Sequence, residues 1–192
     1  MRAITFDIET ANAFPSLGRN DLARMDISVV GIHDSETDEY SSYIKEEFPK
    51  LWPILERADM LIGFNSDTFD IPILNRYYPG DLTRIKSLDL LVEVQKTLGR
   101  RVRLQSLAEA TLNKGKSGNG LEAVEWWAQG LVDKVRAYCL DDVRITRQIY
   151  DYALANGSLK YKDLKQKREI KIDTSTWEDV PESPAITHTL PF

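Results

Sequence analysis

A chain of 192 residues, 42% hydrophobic and 29% charged, is long enough for one domain with a sizeable core. Its net charge of −5 argues against general polyanion binding, so any contact with nucleic acid must rest on local basic patches or bound metal. The single cysteine, Cys139, excludes an intramolecular disulfide and a cysteine-built zinc site; with no long apolar run or signal peptide in view, a cytoplasmic location is expected.

Ala3-Ile4-Thr5-Phe6 reads as a strand of β-branched and aromatic residues. At its end stand Asp7 and Glu9, separated by Ile8, and alternation along a strand puts both carboxylates on one face. Two carboxylates that close repel unless a proton or a cation lies between them, and hard divalent cations prefer oxygen ligands. The pattern alone is weak. With 17 Asp and 13 Glu, about one Asp-x-Glu is expected by chance, and a second, Asp34-Ser35-Glu36, lies in a polar turn. The position at the end of an apolar strand is what sets Asp7-Ile8-Glu9 apart.

Residues 11–26 are irregular, 27–32 read as a second strand, and 40–44 as a third after a turn at 34–38. Helical spacing over 46–57 puts Phe48, Leu51, Trp52 and Leu55 on one side. The run 60–64 suits a strand buried on both faces, and Asn65-Ser66-Asp67 offers caps for a helix over 68–78 that Pro79-Gly80 ends. A short strand at 85–87 follows, then a helix from the cap Ser87 to Leu98, stopped by Gly99. Further helices are predicted at 104–112, 121–128 and 131–155, with a glycine-rich loop between the first two. Strands first and strand–helix alternation later predict an α/β domain with a mixed sheet over 1–155. Segments 159–161 and 169–172 alternate like a hairpin, and 173–192 reads as a polar, proline-containing tail, so 156–192 is set apart.

Two more carboxylates stand out. Asp70, after Asn65 and Phe69, opens a helix behind a buried strand, where an acidic residue commonly just favours the dipole. On the last helix Leu131, Val135, Tyr138, Asp142, Ile145, Ile149 and Tyr152 follow 4-3 spacing and form one face. Asp142 interrupts that stripe, and a buried carboxylate needs a partner such as a metal. Tyr138 lies four residues earlier on the same face, while Asp141 and Cys139 fall off it.

Phe6-Asp7-Ile8-Glu9-Thr10, Asn65-x-x-x-Phe69-Asp70 and Tyr138-x-x-x-Asp142 resemble the three motifs of the DnaQ-like (DEDD) 3′–5′ exonucleases, in the right order over residues 1 to about 152. The tyrosine resembles the DEDDy branch, which is similar to the proofreading domain of family B DNA polymerases. The resemblance implies the ribonuclease H-like fold, a five-stranded mixed sheet with an antiparallel second strand and helices on both faces. It implies that Asp7, Glu9, Asp70 and Asp142 hold two Mg²⁺ or Mn²⁺ ions, with Asp7 bridging them and Tyr138 orienting the attacking water. Two such ions activate water and stabilise the leaving oxygen of an in-line displacement. Ile8 and Thr10 would lie by the terminal nucleotide, and Asn65 and Phe69 would line its pocket. No polymerase domain is expected within these 192 residues.

His33 and His188 do not precede Asp142 at the spacing of the histidine branch. Trp126-Trp127 are read as core for at least one ring, with base stacking the alternative. Arg100, Arg101, Arg103, Lys114 and Lys116 form a basic run that is either a solvated surface or a guide for a phosphate backbone, with Arg101 and Lys116 the substrate contacts expected. The leading expectation is release of nucleoside 5′-monophosphates from single-stranded or frayed 3′ ends, DNA before RNA. A catalytically silent nucleic-acid-binding module and a ribonuclease H-type endonuclease are the alternatives. The end Leu190-Pro191-Phe192 suggests a docking peptide for a replication or repair partner, and no membrane contact is expected.

Overall fold

The computed structural model describes residues 1–13, 22–115, 120–163 and 166–179. Five strands, β1 (Ala3–Thr10), β2 (Ile27–Asp34), β3 (Glu39–Tyr43), β4 (Met60–Gly63) and β5 (Lys86–Asp89), form one sheet in the order β3-β2-β1-β4-β5. β2 runs antiparallel to β1 and β3, while β4 and β5 run parallel to β1. This is the mixed α/β sheet expected, and β1 continues through the Asp7-Ile8-Glu9 motif rather than ending before it.

Alternation along β1 sorts its side chains between two cores. Ile4, Phe6 and Ile8 join a core with α1 (Phe48–Leu55) and α2 (Asp70–Leu74). Ala3 joins the opposite core, with α3 (Leu90–Leu98), α4 (Leu104–Leu107) and the long α6 (Val132–Asn156). Between α4 and α6 lies α5 (Gly120–Ala128), packed against α6 and β1. Asp7 and Glu9 therefore project toward α6, and Gly31, opposite Asp7 on β2, lets that helix come close. A Cβ built on Gly31 would stand 2.9 Å from Cys139 Sγ and 3.1 Å from Val143 Cγ2.

Several boundaries differ from the sequence expectation. The helix predicted at 68–78 is helical only over Asp70–Leu74, because Pro72 offers no amide and the chain tightens into three-residue turns before Pro79. The helix predicted at 104–112 becomes a π-helical turn over Ala108–Leu112, ended by Asn113 in the left-handed conformation. Ser87 does not cap α3; it lies in β5, and Asp89 caps the helix by accepting from Leu91 N. Strands β6 (Ser158–Asp163) and β7 (Gln166–Lys171) form the expected hairpin, whose Leu159, Tyr161 and Ile170 enter the α6-side core.

Of the stretch read as a tail, 173–179 is docked instead. Trp177 is 2% exposed, stacks on Tyr150 at 5.7 Å between ring centroids, and donates from its indole to Glu93. Lys86 Nζ donates to the carbonyls of Thr176, Trp177 and Asp179. A single large apolar residue in a polar stretch carries the docking, and periodicity has no purchase on one residue. Residues 180–192 lie outside the described residues.

Candidate active site

The site stands at the carboxyl ends of β1, β4 and β5, where parallel strands of an open sheet present their loops. β1 brings Asp7 and Glu9, and α6, seated over Gly31, brings Asp142. Each of the three offers an oxygen within 4.8 Å of the other two. No cationic side chain is among the groups acting on Asp7: it feels Asp70, Glu9 and Asp142, all of its own sign. Burial, then these neighbours, push the Asp7 carboxyl well above its ordinary range, with only the Cys139 thiol opposing. Glu9 is pushed up likewise by burial, Asp142 and Asp70.

Asp70 stands beside this group, at the start of α2. One of its oxygens, Oδ1, accepts from the backbone amide of Ile8 at 3.1 Å, which ties the two motifs together directly. Burial raises its pKa to about 7, against the pull of that amide. Asp142 is raised to about 6 by burial, moderated by a hydrogen bond from the Tyr138 hydroxyl. Tyr138 itself is pushed far above the usual phenol range by burial and by Asp142, Glu9 and Asp7, so it stays a neutral hydroxyl. All-oxygen donors, mutual repulsion and the absence of a balancing charge around Asp7 are what a hard divalent cation fits.

The other predicted residues are placed less uniformly. Ile8 offers its amide to Asp70, while its side chain is buried in the α1–α2 core on the face away from Asp7 and Glu9. Thr10 is buried at the end of β1 and donates to the Asn12 carbonyl. Phe69, just before Asp70, packs half-buried against the α1–α2 core. Asn65 has φ +68 and its side-chain oxygen accepts from Thr68 and from Arg101, so the basic run does reach a motif residue. Arg100 instead pairs with Asp163, and Lys116 lies outside the described residues.

Three contributors escaped the sequence reading. Asp89, buried at the end of β5, accepts from Asn65 N at 2.7 Å, Asp67 N at 3.2 Å and Leu91 N at 2.9 Å, and so fixes the turn that carries Asp70. Gly63 makes room for that turn, since a Cβ there would lie 2.4 Å from Ser66. Cys139 was placed off the stripe, yet it is fully buried with its sulfur 3.4 Å from the Asp7 carbonyl, because α6 buries a wider face than 4-3 spacing selects. Burial and the nearby carboxylates push its thiol well above the usual range, which leaves it a packing group. Trp126 and Trp127 both pack, half-buried, on Val29, Val135 and Cys139.

The five strands, their order and the acidic group at one end of β1 agree with a comparison of whole sequences: residues 4–154 match the family RNase_H_2, described as the RNase_H superfamily. The chain belongs to the RNase H superfamily. No curated protein sequence matches it. Among solved structures it is similar to a family B DNA polymerase from the hyperthermophilic archaeon Pyrobaculum calidifontis, with a TM-score of 0.63 and 18% identity. That similarity takes in 80% of this chain and 24% of the polymerase, so this RNase H superfamily chain spans about a quarter of that protein's length. It is a likeness of fold. Membership in the superfamily, with the acidic group of Asp7, Glu9 and Asp142, supports a nuclease-type function that uses divalent metal and binds nucleic acid. No helix among the described residues is long and apolar enough to cross a membrane.

Proposed function

We propose that the chain is a metal-dependent 3′–5′ exonuclease of the DEDDy branch, releasing nucleoside 5′-monophosphates from single-stranded or frayed ends, DNA before RNA. The observation that carries this reading is the group of Asp7, Glu9 and Asp142, with a tyrosine hydroxyl bonded to the third. Asp7, Glu9, Asp142 and the second oxygen of Asp70 would hold two Mg²⁺ or Mn²⁺ ions. Such ions, when bound, neutralise the phosphodiester and make water a nucleophile near neutral pH.

The chain's own residues do the rest. Tyr138, bonded to Asp142, orients water as a hydrogen-bonding hydroxyl. Asp70 holds Ile8 N, and Asp89 holds the Asn65–Asp67 turn, so the loop carrying Asp70 is fixed to β1 and β5 before substrate arrives. Asn65, Phe69, Thr10 and the Ile8 backbone border the terminal nucleotide, and Arg101 and Lys116 guide the strand behind it.

Digestion of 5′-labelled DNA and RNA oligomers with Mg²⁺, Mn²⁺ or EDTA tests the reading. A ladder shortening one nucleotide at a time from the 3′ end, only with metal, is the expected result. Internal cuts would make it an endonuclease, and no cleavage of any oligomer would leave a binding module. The docking role of the C-terminal end belongs to the same proposal. Deleting 181–192 should leave this ladder and the melting temperature unchanged while removing binding to a replication or repair partner; a lower melting temperature would make that end structural.

A further inference from the structure

Beside Tyr138 a groove of about 290 Å³ is lined by Trp126, Lys134, Ala137, Tyr138, Asp141 and Arg144. Lys134, Ala137, Asp141 and Arg144 recur at three- and four-residue steps, so α6 presents them along one face. Trp126 of α5 closes one end, half-buried, its ring 6.0 Å from that of Tyr138 in an edge-on arrangement.

Charge marks this groove out. Four cations lie on α6, and two are satisfied by carboxylates: Arg136 by Glu47 at 2.6 Å and Arg147 by Asp151 at 2.9 Å. The other two are Lys134 and Arg144, and neither has a carboxylate partner among the described residues. Both rest on aromatic rings instead, Lys134 Nζ 4.2 Å from the centroid of Trp126 and the Arg144 guanidinium 4.9 Å from that of Tyr40. Among its described residues, a chain of net charge −5 thus leaves two cations on one helix unpaired by acids, both lining one groove beside Tyr138.

We infer that this groove is a subsite for the single strand leading to the scissile nucleotide. One base stacks on Trp126, and backbone phosphates meet Lys134 and Arg144. The inference rests on the exonuclease reading, which it deepens by naming a second place, besides Arg101 and Lys116, where the strand is held. Stacking on an aromatic face suits any base, as a sequence-tolerant enzyme requires. The ammonium now over Trp126 moves aside to the adjoining phosphate when a base takes its place. Lys134 and Arg144 are ten residues apart, about 15 Å along the helix, a span covered by a short length of strand and not by one nucleotide. Asp141 stands between them and keeps a phosphate from the middle, leaving that place to a sugar or a base, whose hydroxyl or amino group its carboxylate accepts.

The test is binding of oligothymidylate and of thymidine 5′-monophosphate to the full-length protein, with Ca²⁺ in place of Mg²⁺, read by anisotropy and by tryptophan fluorescence. Trp126→Ala should weaken the oligomer about tenfold and the mononucleotide less than twofold. Trp126→Phe should restore most of the affinity yet abolish the quench that a stacked base causes, whereas Trp127→Phe keeps it. Lys134→Ala and Arg144→Ala should each flatten the dependence of log affinity on log salt by about 0.7. An unchanged quench in Trp126→Phe, or equal losses for oligomer and mononucleotide, would overturn the subsite. Failure of the wild type to release mononucleotides in Mg²⁺ would overturn the exonuclease reading, and it leaves these binding outcomes to decide the groove.

Discussion

The same acidic tripeptide pattern occurs at both ends of one strand pair, and the two ends have opposite fates. Asp34-Ser35-Glu36 ends β2 beside the start of β1, where Asp34 is opposite Ile4. Arg2 donates to both Asp34 oxygens, at 3.1 and 2.5 Å, and reaches Glu36 at 3.1 Å. Burial pushes the Asp34 carboxyl up, but the hydrogen bonds of Arg2 and of the Glu36 amide outweigh it and hold it below its ordinary value. At the other end, burial drives Asp7 and Glu9 up, and the charged groups that act on them are further carboxylates. Sequence pattern is equal in the two places. What separates a structural acidic pair from a site that demands a cation is whether the fold supplies the counter-charge.

The largest consequence concerns activity. Asp7→Ala or Asp142→Ala should abolish metal-dependent nucleolysis with the fold retained, as circular dichroism would show. Asp34→Ala should leave turnover within about twofold of wild type, since it lies outside the acidic site. Wild-type-like turnover in either of the first two, with the fold confirmed, would remove them from the site.

Tyr138 sharpens the contrast, because a hydroxyl bonded to Asp142 has no counterpart beside Asp34. Tyr138→Phe should lower turnover by about a hundredfold while the metal concentration for half-maximal thermal stabilisation stays the same. An equal rate would reduce the ring to its packing against Trp126.

The strands and the three motifs are legible because each depends on near neighbours: alternation in β1, a continuous apolar run in β4, and a tyrosine one helical turn from an aspartate. What stayed hidden depends on partners far along the chain. Asp34 and Asp7 differ through Arg2, whose guanidinium reaches Asp34 across 32 residues of sequence. Asp89 acts by accepting amides 22 and 24 residues away, and no side-chain pattern marks an amide. The resemblance implies Ile8 as a substrate contact, yet the alternation that joins Asp7 to Glu9 turns its side chain into the opposite core. The wide face of α6 falls outside the 4-3 pattern for a related reason. A helix lying across a sheet buries more than the narrow stripe of a helix pair, so Cys139 and Val143 are fully covered.

Stability should move in opposite directions at the two ends. Arg2→Ala leaves Asp34, with its side chain 8% exposed, without its bidentate partner, and should cost about 2 kcal/mol in denaturant unfolding. Asp7→Asn removes a charge that repels its neighbours and should raise the melting temperature of the metal-free protein. A fall for Asp7→Asn would show that the carboxylate is held by contacts other than its like-charged neighbours.

The smallest effect, a pH dependence of thermal stability, is the sharpest in sign. Asp142 and Asp70 have folded pKa values of about 6 and about 7, above the ordinary 3.8 of an unfolded chain. A carboxyl raised on folding makes the folded state bind more protons than the unfolded state, so its contribution is full below about pH 4 and is lost as pH climbs to about 7. In EDTA the melting temperature should therefore fall by about 5 °C between pH 5 and pH 7.5. Asp34 has the reverse sign: its pKa is lowered on folding, so its contribution is present above the ordinary value and is lost only as pH drops below that range. The two ends thus act in separate windows, and Arg2→Ala should lessen the acid-side loss without altering the fall between pH 5 and 7.5. Mg²⁺ or Mn²⁺ competes with protons for the same oxygens, so it should add little at pH 5 and most at pH 7.5, levelling the curve. A metal-free curve that rises from pH 5 to 7.5 would mean that the Asp7–Asp142 end already holds its counter-charge within the chain, and the distinction between the two acidic ends would be lost.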